Sequence, residues 1–363
     1  MNVTLIKEAE FDLLREEWNA LLDRSSSDGV FLRWEWVHTW WKIFHKNRTL
    51  FILTARQDGR LVGIAPFFIE PAIFPKPRCL RFCSDELSPD YMDLILEKGQ
   101  EGPATQAIVQ HVLRNAGEWD IICLDNLRAG STLLADGLFD GLAHAGKVSF
   151  SCPYIPIQGT FDDYVRSRAI LATLGLDKKH KRLFQKPGMR HFIVKDPKTL
   201  PRAIDDLFAI HKMRYAFKGV RSTFADGGVK RFHGELSRLF LKEEILNLHL
   251  IYDDQTPVSA FYTFKYKKKV YFFQSAFNPL YMKWSAGVVI FRMVLQQAFA
   301  EGFSEFDMLK GNEAYKFNWS DVARDEMNLS VYNRTLRGQW GRRVHRLKNF
   351  LRRAKRTLLG RFH

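Results

Sequence analysis

Two stretches of this chain hold residues whose types and spacing suit chemistry on an extended, anionic ligand. Ser285-Ala286-Gly287 opens an apolar run, Val288 to Ala300, that Glu301-Gly302 closes. The pattern predicts a helix whose first backbone N–H groups, from Ser285 to Val288, have no partner in a preceding turn. Free amides at such a start bind phosphate or pyrophosphate, and a small residue and a glycine let the ligand come close. Just upstream, Val270 to Phe277 is rich in strand formers. A free edge there, read at Gln274 and Ala276, can hold a pantetheine-like arm by main-chain hydrogen bonds. The plain alternative is that Ser285 is only an N-cap and Gly287 only a packing glycine. The second stretch follows a short strand, Ser304 to Leu309. It runs Lys310-Gly311-Asn312-Glu313-Ala314-Tyr315-Lys316-Phe317-Asn318-Trp319 and gathers a carboxylate, a phenol and an ammonium within four residues.

Other candidates stand further off. Asp90, Tyr91 and Asp93 sit at a loop-to-strand junction, where two carboxylates can orient an amine or a sugar hydroxyl; the alternative is an Asx-turn and a solvated face. His211 and Arg214, three apart on a helix, share a face and can point into a cleft between lobes; a lone helix histidine is equally a core or surface group. No nucleophile elbow, Cys–His signature or metal-ligand cluster is visible, so transfer without a covalent enzyme intermediate fits better.

The elements that position these groups follow from periodicity. With 363 residues, 46% hydrophobic, the chain can build two cores rather than remain disordered. Val3 to Ile6 reads as a strand; Phe11, Leu14, Trp18 and Leu21 fall on one helix face. Arg33 to Phe44 is a helix crowded with Trp34, Trp36, Trp40 and Trp41, suited to core or lobe interface. Leu50 to Arg56 and Leu61 to Ile69 flank an Asp58-Gly59 turn and predict a hairpin. Strands Arg78 to Cys83 and Tyr91 to Leu96, helix Ala104 to Asn115, strand Trp119 to Leu124, a short helix near Thr132 to His144 and strand Val148 to Ile155 complete this half. Asp162 to Gln185 reads as a basic helix with a possible break at Gly175. The second half repeats the order: strand His191 to Lys195, helices Leu200 to Phe217 and Asp226 to Leu241, then a hairpin from Leu246 to Tyr266. The expected organisation is a lobe at 1–160, a linker helix at 161–190, a second lobe at 191–335 and a tail at 336–363.

The net charge of +15 is concentrated. Leu336 to His363 carries ten Lys or Arg and no acid, and Arg166 to Arg190 carries eight against Asp177, leaving the remainder close to neutral. The N-terminus has no basic-then-apolar leader, no apolar run is long enough to span a bilayer, and Cys79, Cys83, Cys123 and Cys152 read as reduced thiols of a cytosolic protein.

The chain resembles the Gcn5-related N-acetyltransferase (GNAT) superfamily, specifically two-lobed proteins of the cellulose-biosynthesis CelD type, akin to FemAB-like peptidyltransferases. The resemblance covers roughly Phe11 to Tyr332. It is carried by Phe31-Leu32-Arg33-Trp34-Glu35-Trp36, Gly59 to Pro66, Ser88-Pro89-Asp90-Tyr91-Met92-Asp93, His211-Lys212-Met213-Arg214-Tyr215, Ser285-Ala286-Gly287 and Phe306 to Lys316. It departs from the usual Leu-Arg-Gly-Asp-Glu-x-Tyr-Lys pattern at Lys310 and Asn312, which removes a guanidinium–carboxylate fork. The resemblance implies an α/β (α+β) fold of tandem GNAT-like lobes, with mixed sheets flanked by helices and a basic amphipathic helix after them. It also implies acyl transfer from acetyl-CoA or another acyl-CoA, without a metal, to an amine such as an amino sugar of envelope or exopolysaccharide synthesis. Read from the residues, that chemistry takes Glu313 as the base, directly or through water, and Tyr315 as the proton donor to the leaving thiolate; the alternatives are a surface ion pair of Glu313 with Lys316 and core packing of Tyr315. Lys316 binds a phosphate or carboxylate, and Asp90, Asp93, His211 and Arg214 contact substrate.

Each basic segment carries a partner expectation. Trp340, Val344, Leu347, Leu351, Ala354 and Leu358 form one helical stripe among arginines and lysines, suited to an anionic membrane surface; a solvated tail is the alternative. Lys178 to Arg190 can contact the acceptor stem of an aminoacyl-tRNA, as FemAB-like enzymes do, or be a linker with a solvated face. The expected place is cytoplasmic, or peripheral on the inner face of the membrane. A membrane-associated, non-catalytic assembly factor is the remaining alternative.

Overall fold

The computed structural model describes residues 1–359 apart from 28, 74, 75, 85, 86, 88 and 312; for 349 and 352–359 it describes the backbone alone. Of the expected motif positions, Ser88, Asn312 and the side chains of Ala354 and Leu358 therefore lie outside the described residues. The chain divides into two units, Met1–Ser149 with Glu326–His363, and Phe150–Asp325. The boundary expected at 160 and the helix expected as a linker at 161–190 both fall inside the second unit, and 336–363 belongs to the first.

The first unit starts with β1 (Asn2–Leu5), α1 (Glu8–Leu13), α2 (Arg15–Arg24) and α3 (Trp34–Phe44). The tryptophan-rich helix is core: Trp36 and Trp40 are fully buried. The indole N–H of Trp36 donates to Ser84 Oγ at 3.0 Å and that of Trp18 to the Leu32 carbonyl at 2.8 Å, so these large side chains bury without stranding a donor. The Asp58-Gly59 turn joins β2 (Thr49–Gln57) to β3 (Arg60–Glu70), with β4 (Cys79–Phe82) beyond. The strand expected from Tyr91 shrinks to β5 (Ile95–Leu96). Tyr91 takes φ 57°, a left-handed conformation that ends any strand, and its N–H donates to the carboxylate of Glu326 at 2.6 Å. Helix α4 (Glu101–Arg114) crosses to β6 (Ile121–Arg128), parallel to β4. The helix expected near Thr132 to His144 is a single 3₁₀ turn at Thr132–Leu134, and the following strand starts earlier, as β7 (Ala143–Pro156).

In the second unit the segment expected as one long helix is α5 (Phe161–Ser167), α6 (Ala169–Thr173) and α7 (Leu176–Phe184). Gly175, at φ 60°, makes the left-handed break before α7. Next come β8 (Met189–Ile193), α8 (Leu200–Phe217), α9 (Gly227–Lys242), and the strands β9 (Leu246–Asp253), β10 (Thr256–Tyr266) and β11 (Lys269–Phe277). Helix α10 (Ala286–Ala300) crosses to the three-residue β12 (Glu305–Asp307), parallel to β11, and α11 (Ala314–Trp319) follows. β13 (Ala323–Tyr332) then pairs with β6, and α12 (Leu336–Leu359) ends the described chain.

The two units share one plan. In the first, β1, β2, β3 and β4 run antiparallel in order, β4 pairs parallel with β6, and β6 antiparallel with β13. In the second, β8, β9, β10 and β11 run antiparallel, β11 pairs parallel with β12, and β12 antiparallel with the end of β7. A parallel neighbour demands a crossover, which α4 and α10 supply in turn. These are mixed sheets flanked by helices, in tandem. No helix among the described residues is long and apolar enough to cross a membrane.

Candidate functional site

The site lies in the second unit, where β11 loses a neighbour. β10 accompanies β11 from Lys269 to Phe277, but β12 pairs only with Lys269, Val270 and Tyr271. Past Tyr271 the pairing of the two parallel strands ends, and among the described residues one edge of β11 is left without a strand. A buried lysine accounts for where the departing chain goes. Lys316 Nζ, only 4% exposed with its residue, donates to the carbonyls of Lys310 (2.7 Å) and Leu309 (3.1 Å), and meets Glu313 Oε2 at 3.3 Å. Those bonds pin the turn after β12, where Leu309 (φ 55°) and Gly311 (φ 129°) both adopt left-handed backbone. At Gly311 it is the backbone conformation that favours glycine; a Cβ there would also crowd the Glu313 carboxylate and Lys316 Nζ, side-chain ends that would have to shift.

A cavity of about 340 Å³ opens where the strands part. Its floor is apolar, with Phe261, Phe272, Phe291 and Trp319, the last two stacked with centroids 4.4 Å apart. Its polar end is the start of α10. Ser285 takes φ 55°, no side chain caps the helix, and its carbonyl accepts from Val288 and Val289, so the amides of Ala286 and Gly287 stand at the pocket. No acid lies in the first turn to compete with an anion. The counterpart in the first unit differs: α4 begins with Glu101, whose carboxylate accepts from the Gly99 N–H at 2.7 Å. A carboxylate already occupies that positive end.

The cavity gathers Ser285, Ala286, Gly287, Val288, Arg214 and Tyr315 from the expected site residues. Arg214 donates from Nη1 to the Ser275 carbonyl at 3.0 Å, with its guanidinium over the Phe277 ring at 4.7 Å. On the edge of β11 the lining residues are Ser275 and Phe277 rather than Gln274 and Ala276, one position out of register with the sequence reading. Both main-chain groups of Ser275 are met from outside the β10 pairing: the carbonyl by Arg214, the N–H by Gln274 Oε1 at 3.3 Å. The cause is a bulge: pairing jumps from Tyr262–Gln274 to Thr263–Phe272 and skips Phe273. Asn318 and Trp319 also line the cavity; in sequence Trp319 ends the polar patch after β12, with core packing as the alternative, and nothing in the local pattern marks Asn318.

Three expected residues sit elsewhere. His211 is fully buried, bonded through Nδ1 to Ser222 Oγ at 2.8 Å, and lines no part of the cavity; burial, then Arg214, pushes it down to about 4. Asp90 and Asp93 belong to the first unit, and both are buried rather than on a solvated face. Asp93 accepts from Ser131 Oγ at 2.7 Å and the Leu94 N–H at 2.8 Å, and burial raises it to about 6. Glu313 flanks the cavity without lining it; its side chain is half exposed, at the N-cap of α11. Tyr315 is 39% exposed as a residue, but its phenol lies against the cavity wall; desolvation there, and then the negative Glu313, push it above its usual range, so it keeps its proton.

The basic segment of α7 is tied to this end of the molecule. Arg182 donates to the Lys283 carbonyl at 2.6 Å, just before α10, and covers the Trp284 ring, while Arg292 of α10 pairs with Asp177. The site is thus an apolar slot with a splayed strand on one side, uncapped amides at one end, a protonated phenol, and Arg214 in its wall.

Residues 175–317 match the acetyltransferase (GNAT) domain family. The fold resembles that of FemX over 92% of this chain and 97% of that one, at 11% identity and TM-score 0.62. It resembles the C-terminal domain of a putative lysylphosphatidylglycerol synthetase from Agrobacterium fabrum over 90% and 93%, at 11% identity and TM-score 0.56. It also resembles L-PGS from Bacillus licheniformis over 89% and 92%, at 10% identity and TM-score 0.55. No curated protein matches the sequence.

Proposed function

We propose that this chain, whose fold is that of the GNAT superfamily in its FemAB-like form, moves an acyl group from a thioester such as acetyl-CoA to an amine. One observation carries the reading: β11 parts from β12 beside the uncapped start of α10. Such a wedge accepts an extended amide-bearing arm along one strand, with its pyrophosphate on the Ala286 and Gly287 amides. The edge N–H of Ser275 polarises the thioester carbonyl once the weak Gln274 contact is displaced. Tyr315 donates its proton to the departing thiolate, and Glu313 takes the proton of the attacking amine directly or through water. Lys316 holds the loop that presents Glu313 rather than binding substrate. The acceptor we favour, an amino sugar of envelope or exopolysaccharide synthesis, rests on the CelD-type resemblance.

The test is thermal stabilisation by CoA and acetyl-CoA, since a ligand that binds only the native state, at free concentration L, stabilises it by RT ln(1 + L/Kd) and so raises Tm. A Cβ at Gly287 would meet only Phe277 Cδ1, at 3.4 Å, an ordinary contact. Gly287→Ala, which adds only that Cβ, should therefore melt near wild type without ligand yet lose most of the shift. An equal shift in both proteins, or none in either, overturns the reading. A second donor, an aminoacyl-tRNA, is favoured by the basic residues of α7, of which Arg182 is held against the segment just before α10. It predicts tRNA binding that weakens steeply with salt, with no CoA shift.

A further inference from the structure

The first unit has a cavity of its own, of about 350 Å³, under the start of α12. Its walls are Lys147 of β7, Ser330 and Tyr332 of β13, and Arg342, His345 and Arg346 of α12; none of its lining residues is acidic. Tyr332 Oη lies 2.6 Å from His345 Nδ1. A phenol that donates there leaves the proton of the neutral imidazole on Nε2, so the ring also offers a donor. Three cations around hydroxyl and ring donors make a receptor for a phosphate-bearing anion.

The orientation of α12 says where that anion comes from. At about 100° per residue, Gly338, Gly341 and His345 share one face, and Leu336, Trp340, Leu347 and Leu351 the opposite one. The glycine face is set hard against its own unit. A Cβ at Gly338 would meet the Asn333 and Asp120 carbonyls at 2.5 and 2.7 Å, and one at Gly341 would collide with Ile121. The apolar face is left uncovered: Leu347 is 59% exposed, Phe350 67% and Leu351 57%. Arg343 falls within that stripe, between Phe350 and Leu336, where its long side chain can reach up to the phosphates; Arg342 and Arg346 flank the stripe on the cavity side, Arg337 and Lys348 on the other, with no acid from Leu336 onward.

We propose that this face docks on an anionic lipid bilayer, with the stripe of α12 in the interface and a lipid phosphate in the cavity between Lys147, Arg342 and Arg346. Apolar side chains outward with cations on both flanks match a surface that is apolar beneath and negative above. The inference needs no acyl-transfer activity and is tested without one.

The experiment sediments the full chain with vesicles of phosphatidylcholine, and with vesicles of equal parts phosphatidylcholine and phosphatidylglycerol. Binding is expected to the anionic vesicles alone. Each cation near such a surface contributes about fivefold, so Arg342→Gln with Arg346→Gln should weaken partition by on the order of tenfold or more. Arg337→Gln with Lys348→Gln removes the same charge outside the cavity and should weaken it distinctly less. Leu347→Gln with Leu351→Gln should abolish it. All these side chains are at the surface, and unchanged melting of each variant checks the fold. Equal loss from the two charge pairs, equal binding to neutral vesicles, no binding, or preference for an RNA homopolymer at the same salt each overturns the proposal.

Discussion

Tyr315 is the residue on which the chemistry turns. It sits on α11 at the cavity wall, partly exposed, and desolvation of its phenol together with Glu313 keeps it protonated across the neutral range. A general acid contributes roughly 10²–10⁴-fold. Tyr315→Phe should therefore lower kcat by that order while leaving the donor KM nearly unchanged, because the ring and its packing survive. The pH profile adds a readout that a structural role would not move. The alkaline limb of wild-type kcat should lie above the ordinary phenol range, and the phenylalanine variant should lack that limb. Lys316 makes the contrasting case, since its ammonium satisfies two loop carbonyls. Lys316→Met should cost about 1–3 kcal/mol of stability by leaving those acceptors buried and unmet, read as a lower denaturant midpoint.

At the level of elements, the sequence reads well wherever the determinant is local. Asp58-Gly59 locates its hairpin, Ser285-Ala286-Gly287 opens α10 as expected, and the four tryptophans of α3 mark core. It reads poorly where a distant residue decides. Tyr91 leaves the strand region to meet Glu326, 235 positions away, and the bulge at Phe273 exchanges Gln274 and Ala276 for Ser275 and Phe277 at the edge. A bulge depends on how two strands pair, which no local pattern states. The tail is intermediate: its stripe is legible, but the fixing of the opposite face depends on Asn333, Asp120 and Ile121. That fixing is testable. Gly338→Ala puts a methyl against two backbone carbonyls, so the first turns of α12 should lift away at about 1–3 kcal/mol. Limited trypsin digestion should then cut around Arg342 and Arg343 faster than in wild type.

Over the whole molecule, acid acts on lowered histidines in both units, but the second unit holds those pushed furthest down; in the first, His38 and His111 are lowered, burial leading in each, while a buried carboxylate works the other way. The second unit buries three neutral histidines: His211 pushed down to about 4, and His233 and His249 to about 3, burial being the leading cause in each. Arg214 adds to the shift of His211, and His191 and Lys265 to that of His249. Each folded value lies below the unfolded value of about 6.5, so the unfolded chain binds more protons between them. The stability these histidines contribute is present above pH 6.5 and is lost as pH falls toward 4, at up to about 1.4 kcal/mol per pH unit each. In the first unit Asp93 is raised to about 6, so its burial costs most above that pH and the cost fades as pH drops. Carboxylates held low there give way only below the ordinary carboxylate range. Examples are Asp120, where burial is outweighed by Arg78 and Thr335, and Glu35, where it is outweighed by Arg33 and Arg15. Lowering pH from 7 to 5 should therefore loosen Phe150–Asp325 first. Amide exchange followed by mass spectrometry at the two pH values should show protection lost in β9 and β10, which carry or contact His249 and His233, while β2 and β3 keep theirs. Uniform loss in both units would mean that the buried histidines do not set the acid limit, and His249→Asn, which removes one of the three, should move that limit downward if they do.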